Sequence, residues 1–110
     1  MKLPNHDSAL IDPAKVRDYL LSPEHPVGRF KATFFAAIGY KRGDWQKLSS
    51  DLLEIAKTGD ALSGPANQFG RKYEVHRTLL GVGDRAAAVV TVWIVLANET
   101  SPRFVTAYPR

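Results

Sequence analysis

The chain has 110 residues, 45% of them apolar, and no cysteine. This suits one domain, residues 1–110, with one core, and excludes disulfide scaffolds, thiolate metal sites and cysteine nucleophiles. The net charge of +4 fits a polyanion such as RNA, or an acidic protein, as partner.

Asp12 before Pro13 predicts a helix start: a capping side chain, then proline at the first helical position. Val16, Tyr19 and Leu20 then share one apolar face, and the two prolines of "SPEHP" end the helix. A second helix is expected from near Gly28, with Phe30, Phe34 and Ile38 as its apolar stripe and Gly39 closing it. Asp44 caps a third, whose stripe is Trp45, Leu48, Leu52 and Ile55 and whose end is Gly59. "GDALSGPANQFG" reads as a flexible loop. Two alternating runs, Arg71 to Leu80 and Arg85 to Ala97, read as a hairpin around "GVGD". The run "RFVTAYP" returns antiparallel beside the second strand. Helices first and strands after predict an α+β fold, with about three helices on one face of an antiparallel sheet of three to four strands.

An even turn at Gly81 to Asp84 would set Val75 opposite Val90 and Tyr73 opposite Val92. The core face would then carry Tyr73, Val75, Leu79, Val90, Val92, Ile94 and Leu96. The open face would carry Lys72, Glu74, His76, Thr91 and Trp93, joined by Thr106 and Tyr108 if Val105 and Ala107 face the core. No apolar run at "MKLPNHDSAL" is long enough for a signal peptide, and "AAAVVTVWIVLA" is too short to span a bilayer as a helix. The expectation is a cytoplasmic protein with no membrane partner.

Several chemistries find no support. The acidic residues are scattered, and His6, His25 and His76 show no ligand spacing, so no metal and no cofactor is expected. "GVGD" lacks the lysine of a phosphate-binding loop, and the serine-hydrolase string G-x-S-x-G is absent. Metal-free RNA cleavage asks for less, because the 2′-hydroxyl is an internal nucleophile. It needs a base, an acid and a cation for the developing charge.

Three groups offer those residue types. His25 can pass protons near neutrality, and Lys31 can pair with a phosphate at a helix start. The plain structural alternative is a histidine that caps the next helix and a solvated lysine. Thr91, Trp93, Thr106 and Tyr108 form the second group, whose alternative is a small second core or a protein interface. His76 beside Glu74 is the third, whose alternative is an ordinary exposed strand face.

The strings "LPN…D…AKVRDYLLSPEHPVGRFKATFFAAIGY" and "KYEV…L.G…VVTVWIVL…PRFVTAYP" resemble a family of small bacterial domains of unknown function. Members occur alone, beside a small neighbouring protein, or as C-terminal domains of long secreted or phage-like proteins that carry toxins. The layout is also similar to metal-free ribonucleases of the barnase–RelE class and to ribonuclease-A-like toxins of contact-dependent inhibition. That resemblance implies His25 as general acid or base and Lys31 as phosphate ligand, with Thr106 and Tyr108 orienting the phosphate. Arg29 and Arg103 lie in the same strings and, with Thr91 and Trp93, are the expected substrate contacts. The resemblance implies no role for His76 and Glu74, which stand as the alternative catalytic pair. The function implied is a metal-independent endoribonuclease-like toxin domain with a cognate antitoxin or immunity protein. The alternative is a non-enzymatic domain that binds a small partner through its open sheet face. The sequence carries no signal of oligomeric state.

Overall fold

The computed structural model describes residues 1–26 and 28–110. The first helix starts where the sequence predicts, with the Ala14 N–H donating to Asp12 Oδ1 at 3.0 Å and Pro13 behind the cap. Helix α1 (Pro13–Lys15) then widens into a π-helical turn, Val16–Leu20, in which the Leu21 N–H reaches back to Val16 O at 3.0 Å. Val16 and Leu20 are buried, and Tyr19 is left half-buried at the rim. Helix α2 (Arg29–Ala37) follows, and a short turn of 3-10 helix, Arg42–Asp44, leads into α3 (Trp45–Thr58). Strands β1 (Asp60–Asn67), β2 (Gly70–Leu80), β3 (Ala86–Leu96) and β4 (Arg103–Pro109) form one antiparallel sheet in that order. The fold is α+β: three N-terminal helices packed on a four-stranded C-terminal sheet.

Of the stripe expected of α3, Leu48, Leu52 and Ile55 are buried, together with Ala56, and Trp45 packs partly buried against the core. Helix α2 buries its expected stripe only in part. Ile38, just past its end, is buried and Phe34 packs partly buried against the core, but Phe30 is 69% exposed, and the residues buried within the helix are Ala32 and Phe35. One position along a helix turns the face by about 100°. That rotation leaves Lys31 half-buried beside the packed face instead of on the solvent side.

Three other expectations change. The segment read as a loop contains β1, an edge strand, because its backbone pairs with β2 from Asp60↔His76 to Asn67↔Gly70. Pro65, which has no N–H to give, falls in the irregular stretch between Ser63 and Ala66. Asn67 Oδ1 closes the turn by accepting from the Phe69 and Gly70 N–H groups at 2.8 and 3.2 Å.

The second change is the hairpin register. Leu80 pairs with Ala86, so the turn is the odd stretch 81–85, with Gly83 and Asp84 left-handed at φ 69° and 62°. An odd turn shifts the ladder by one residue and exchanges the faces of β3. Tyr73 stands opposite Trp93 and Val75 opposite Thr91. Thr91 and Trp93 are therefore both 0% exposed in the core, and not on the open face as expected. They satisfy each other: Trp93 Nε1 donates to Thr91 Oγ1 at 2.9 Å, and that hydroxyl donates to Val75 O at 3.1 Å. Val90, Val92, Ile94 and Leu96 move to the outer face with Glu74 and His76, where Val90 is nonetheless buried.

The third change is in β4. Val92 pairs with Thr106 but Trp93 with Phe104, so Val105 is an extra residue. Phe104 and Ala107, three apart, are consequently both buried, and it is Phe104, not Val105, that joins the core. A bulge of this kind re-aims neighbouring side chains, and here it turns Thr106 toward the helices at the sheet edge. The start of that edge is covered by Leu10, whose N–H donates to Pro102 O and whose carbonyl accepts from the Phe104 N–H, each at 2.9 Å. Among the described residues no helix is long and apolar enough to cross a membrane.

Candidate active site at the edge of the sheet

Three elements meet where β4 is uncovered. Lys31 on α2 extends its Nζ between the π-turn and β4. It donates to Tyr19 Oη and to Thr106 Oγ1, each at 2.8 Å, and lies 5.0 Å from the Tyr19 ring centroid. These groups line an open cleft of about 500 Å³ with Asp12, Ala14, Lys15 and Val105. Tyr19 ionises more readily than an ordinary phenol, chiefly because the Lys31 ammonium donates to its oxygen. Burial opposes this, and the charges of Lys31 and Lys15 and the Thr106 hydroxyl add to it.

Local packing explains why these elements come so close. A Cβ on Gly28 would stand 2.1 Å from the Tyr19 carbonyl oxygen, so the chain entering α2 can cross the π-turn only with glycine there. The same crossing orders His25. Its Nδ1 accepts from the Gly28 N–H at 2.9 Å, and its ring meets the Tyr19 ring edge-on at 5.0 Å between centroids. A ring whose Nδ1 accepts carries its proton on Nε2. The π-turn is further pinned by Asp18, which accepts from both Arg17 and Arg42 and is held down to about 2 by those two bonds.

Of the residues singled out in the sequence, Lys31 and Thr106 are in direct contact, and His25 joins them through Tyr19. Tyr108 is half-buried opposite Val90, two residues beyond Thr106, and is not among the residues lining the cleft. Arg29 lies exposed over the Phe30 ring, 4.8 Å from its centroid. Arg103 forms a two-point pair with Glu99 at 2.7 and 3.0 Å and lines a neighbouring hollow that shares Asp12 and Lys15 with the cleft. Glu74 and His76 pair at 3.2 Å on the outer face, while Thr91 and Trp93 belong to the core. Sequence reasoning missed Tyr19 by counting it in the apolar stripe of the first helix. Its hydroxyl was the available signal, since a tyrosine at the rim of such a stripe keeps its polar end for a partner. Among the described residues no group of three or more His, Asp or Glu side chains is placed to hold a metal ion.

Residues 2–110 match the family described as Domain of unknown function (DUF6883), and the chain belongs to that family. Among curated proteins nothing matches. Among solved structures, the chain is similar to one chain of a contact-dependent growth inhibition toxin–immunity protein complex from Klebsiella pneumoniae 342. The TM-score is 0.70 at 16% sequence identity, over 91% of this chain and 98% of that one. At that identity the likeness is one of fold.

Proposed function

We propose that this chain is an RNA-cleaving toxin domain that works without a metal ion and is held in check by a cognate immunity protein. The observation that carries this reading is the Lys31 ammonium, shared between Tyr19 and Thr106 in an open cleft built from three elements. A phosphodiester entering the cleft meets two ammonium groups, Lys31 and Lys15, and the Thr106 hydroxyl. These can hold the phosphate and offset the charge that develops as the bond to the leaving oxygen breaks. His25, fixed by the Gly28 N–H and packed edge-on against Tyr19, stands at the same crossing. The 2′-hydroxyl supplies the nucleophile, so the protein has only to position, to stabilise charge and to move protons. The fold likeness to a chain of a toxin–immunity protein complex supports a partner protein, and the net charge of +4 suits an acidic one. The place of action would be the cytoplasm, where RNA is met.

The test is inducible expression together with incubation of the purified chain with RNA in EDTA. Growth arrest, and RNA fragments ending in 2′,3′-cyclic phosphate, are expected. Cleavage that appears only on adding Mg²⁺ or Mn²⁺ would refute the mechanism.

A second reading, a binding domain without catalysis, is favoured by the outer sheet face. Leu62 is 61% exposed there, on the side that carries Val92 and Ile94. It is the better account if the chain binds a neighbouring small protein tightly but neither arrests growth nor cleaves RNA.

A further inference from the structure

We infer that Tyr19 is the proton acceptor of the cleft and takes the proton of the attacking 2′-hydroxyl, while Lys31 and Thr106 hold the phosphate; this rests on the RNA-cleavage reading above. Lys31 Nζ bonds to Tyr19 Oη and to Thr106 Oγ1 at the same 2.8 Å, so a phosphate seated on Lys31 and Thr106 stands beside the phenol oxygen. The groups that face Tyr19 favour its anion. Lys31 reaches it from α2 and Lys15 from α1, the Thr106 hydroxyl lies beside it on β4, and the His25 ring meets its ring in a T-shaped contact. Burial works against the anion, and the direct bond from Lys31 outweighs it.

The rival acceptors are committed elsewhere. His25 Nδ1 accepts from the Gly28 N–H, so the lone pair of that nitrogen is committed to the start of α2. Asp12 lines the cleft, but its Oδ1 caps α1 through the Ala14 N–H. In the step itself the O2′ proton passes to the phenolate oxygen of Tyr19 and O2′ bonds to phosphorus. The bond from phosphorus to O5′ breaks, its electron pair leaves on O5′, and a water molecule protonates that oxygen. The resulting hydroxide then takes the proton from Tyr19 and restores the phenolate.

Two measurements test this. The first is the ultraviolet titration of the four tyrosines. One should ionise ahead of the rest in the wild type, disappear in Tyr19→Phe, and return to the ordinary range in Lys31→Met. The second uses an RNA oligonucleotide. Tyr19→Phe should lower kcat by about 100-fold or more, while binding of a 2′-O-methyl analogue stays within about threefold. The rising limb of the pH–rate profile should move to higher pH in Lys31→Met. The assignment is overturned if no tyrosine ionises early, if Tyr19→Phe cleaves at the wild-type rate, or if Asp12→Asn loses activity that Tyr19→Phe keeps. Early ionisation of Tyr19 in a chain that cleaves no RNA would support the activated phenol and overturn the RNA reading instead.

Discussion

The cleft at β4 and the β2–β3 hairpin use the same kinds of side chain to different ends. In the cleft a lysine, a tyrosine and a threonine come from three separate elements, and all three stay half-buried. In the hairpin a threonine and a tryptophan come from one strand, lie fully buried and close on each other and on Val75 O. The hairpin's other polar pair, Glu74 and His76, also comes from one strand but faces outward. A polar group that several elements hold at a rim keeps capacity for a ligand, whereas one whose bonds all close inside the sheet is structural.

Lys31 is where that contrast is most easily broken. Lys31→Met keeps most of the aliphatic stem and removes the charge. Activity on RNA, or toxicity on expression, should fall by about 100-fold or more, the loss typical of a donor to a developing anion. The thermal midpoint should hardly move, since a half-exposed lysine contributes little to stability. A large drop in stability with activity intact would make the cleft a structural clamp of the hairpin's kind.

Gly28→Ala probes the crossing that assembles the cleft. The new methyl would meet the Tyr19 carbonyl oxygen at 2.1 Å, so the π-turn and the start of α2 must move apart. A loss of about 2 kcal/mol is expected in chemical denaturation, as for overpacking elsewhere. Activity should fall further than stability does, because Lys31 and Tyr19 stand on the two segments that separate. Thr91→Val is the counterpart in the hairpin. It keeps the shape, leaves the buried Trp93 N–H without its acceptor, and should cost about 1–2 kcal/mol. Cleavage by the fraction that remains folded should be unchanged.

How far the sequence could be read follows the same division. Both ends of the Lys31–Thr106 bond are legible, although 75 residues separate them, because each sits in a distinctive string. The cap at Asp12 and the stripe of α3 are legible because they depend on neighbours along one helix. The register of the hairpin is not. It turns on the number of residues in the turn 81–85, where both Gly83 and Asp84 are left-handed, and "GVGD" does not say whether that number is even or odd. The odd length puts Thr91 and Trp93 in the core. Strand β1 is hidden by its own composition, since proline is confined to edges and irregular stretches of a sheet and glycine weakens a strand interior. Tyr19 and Tyr108 carry the same hydroxyl. Only the close approach at Gly28 and the bulge at Val105 determine which one reaches Lys31.

His76→Ala should have the smallest effect, and it tests the rule from the other side. His76 and Glu74 make a glutamate–histidine pair, a familiar acid–base arrangement, at 3.2 Å. The pair is local, two residues apart on β2, with ladder neighbours Val90 and Val92 on one side and Asp60 and Leu62 on the other. None of these four brings a cation for a phosphate. The Glu74 side chain is 44% exposed, so water screens the pair, and such pairs contribute between nothing and about 1 kcal/mol. Stability should therefore change by no more than about 0.5 kcal/mol, and activity should stay within about twofold of wild type. Both follow from one titration and one cleavage assay beside Lys31→Met. If His76→Ala abolished cleavage while Lys31→Met retained it, the chemistry would belong to the outer sheet face. Convergence of several elements would then have been the wrong guide to the site, even with RNA as the right substrate.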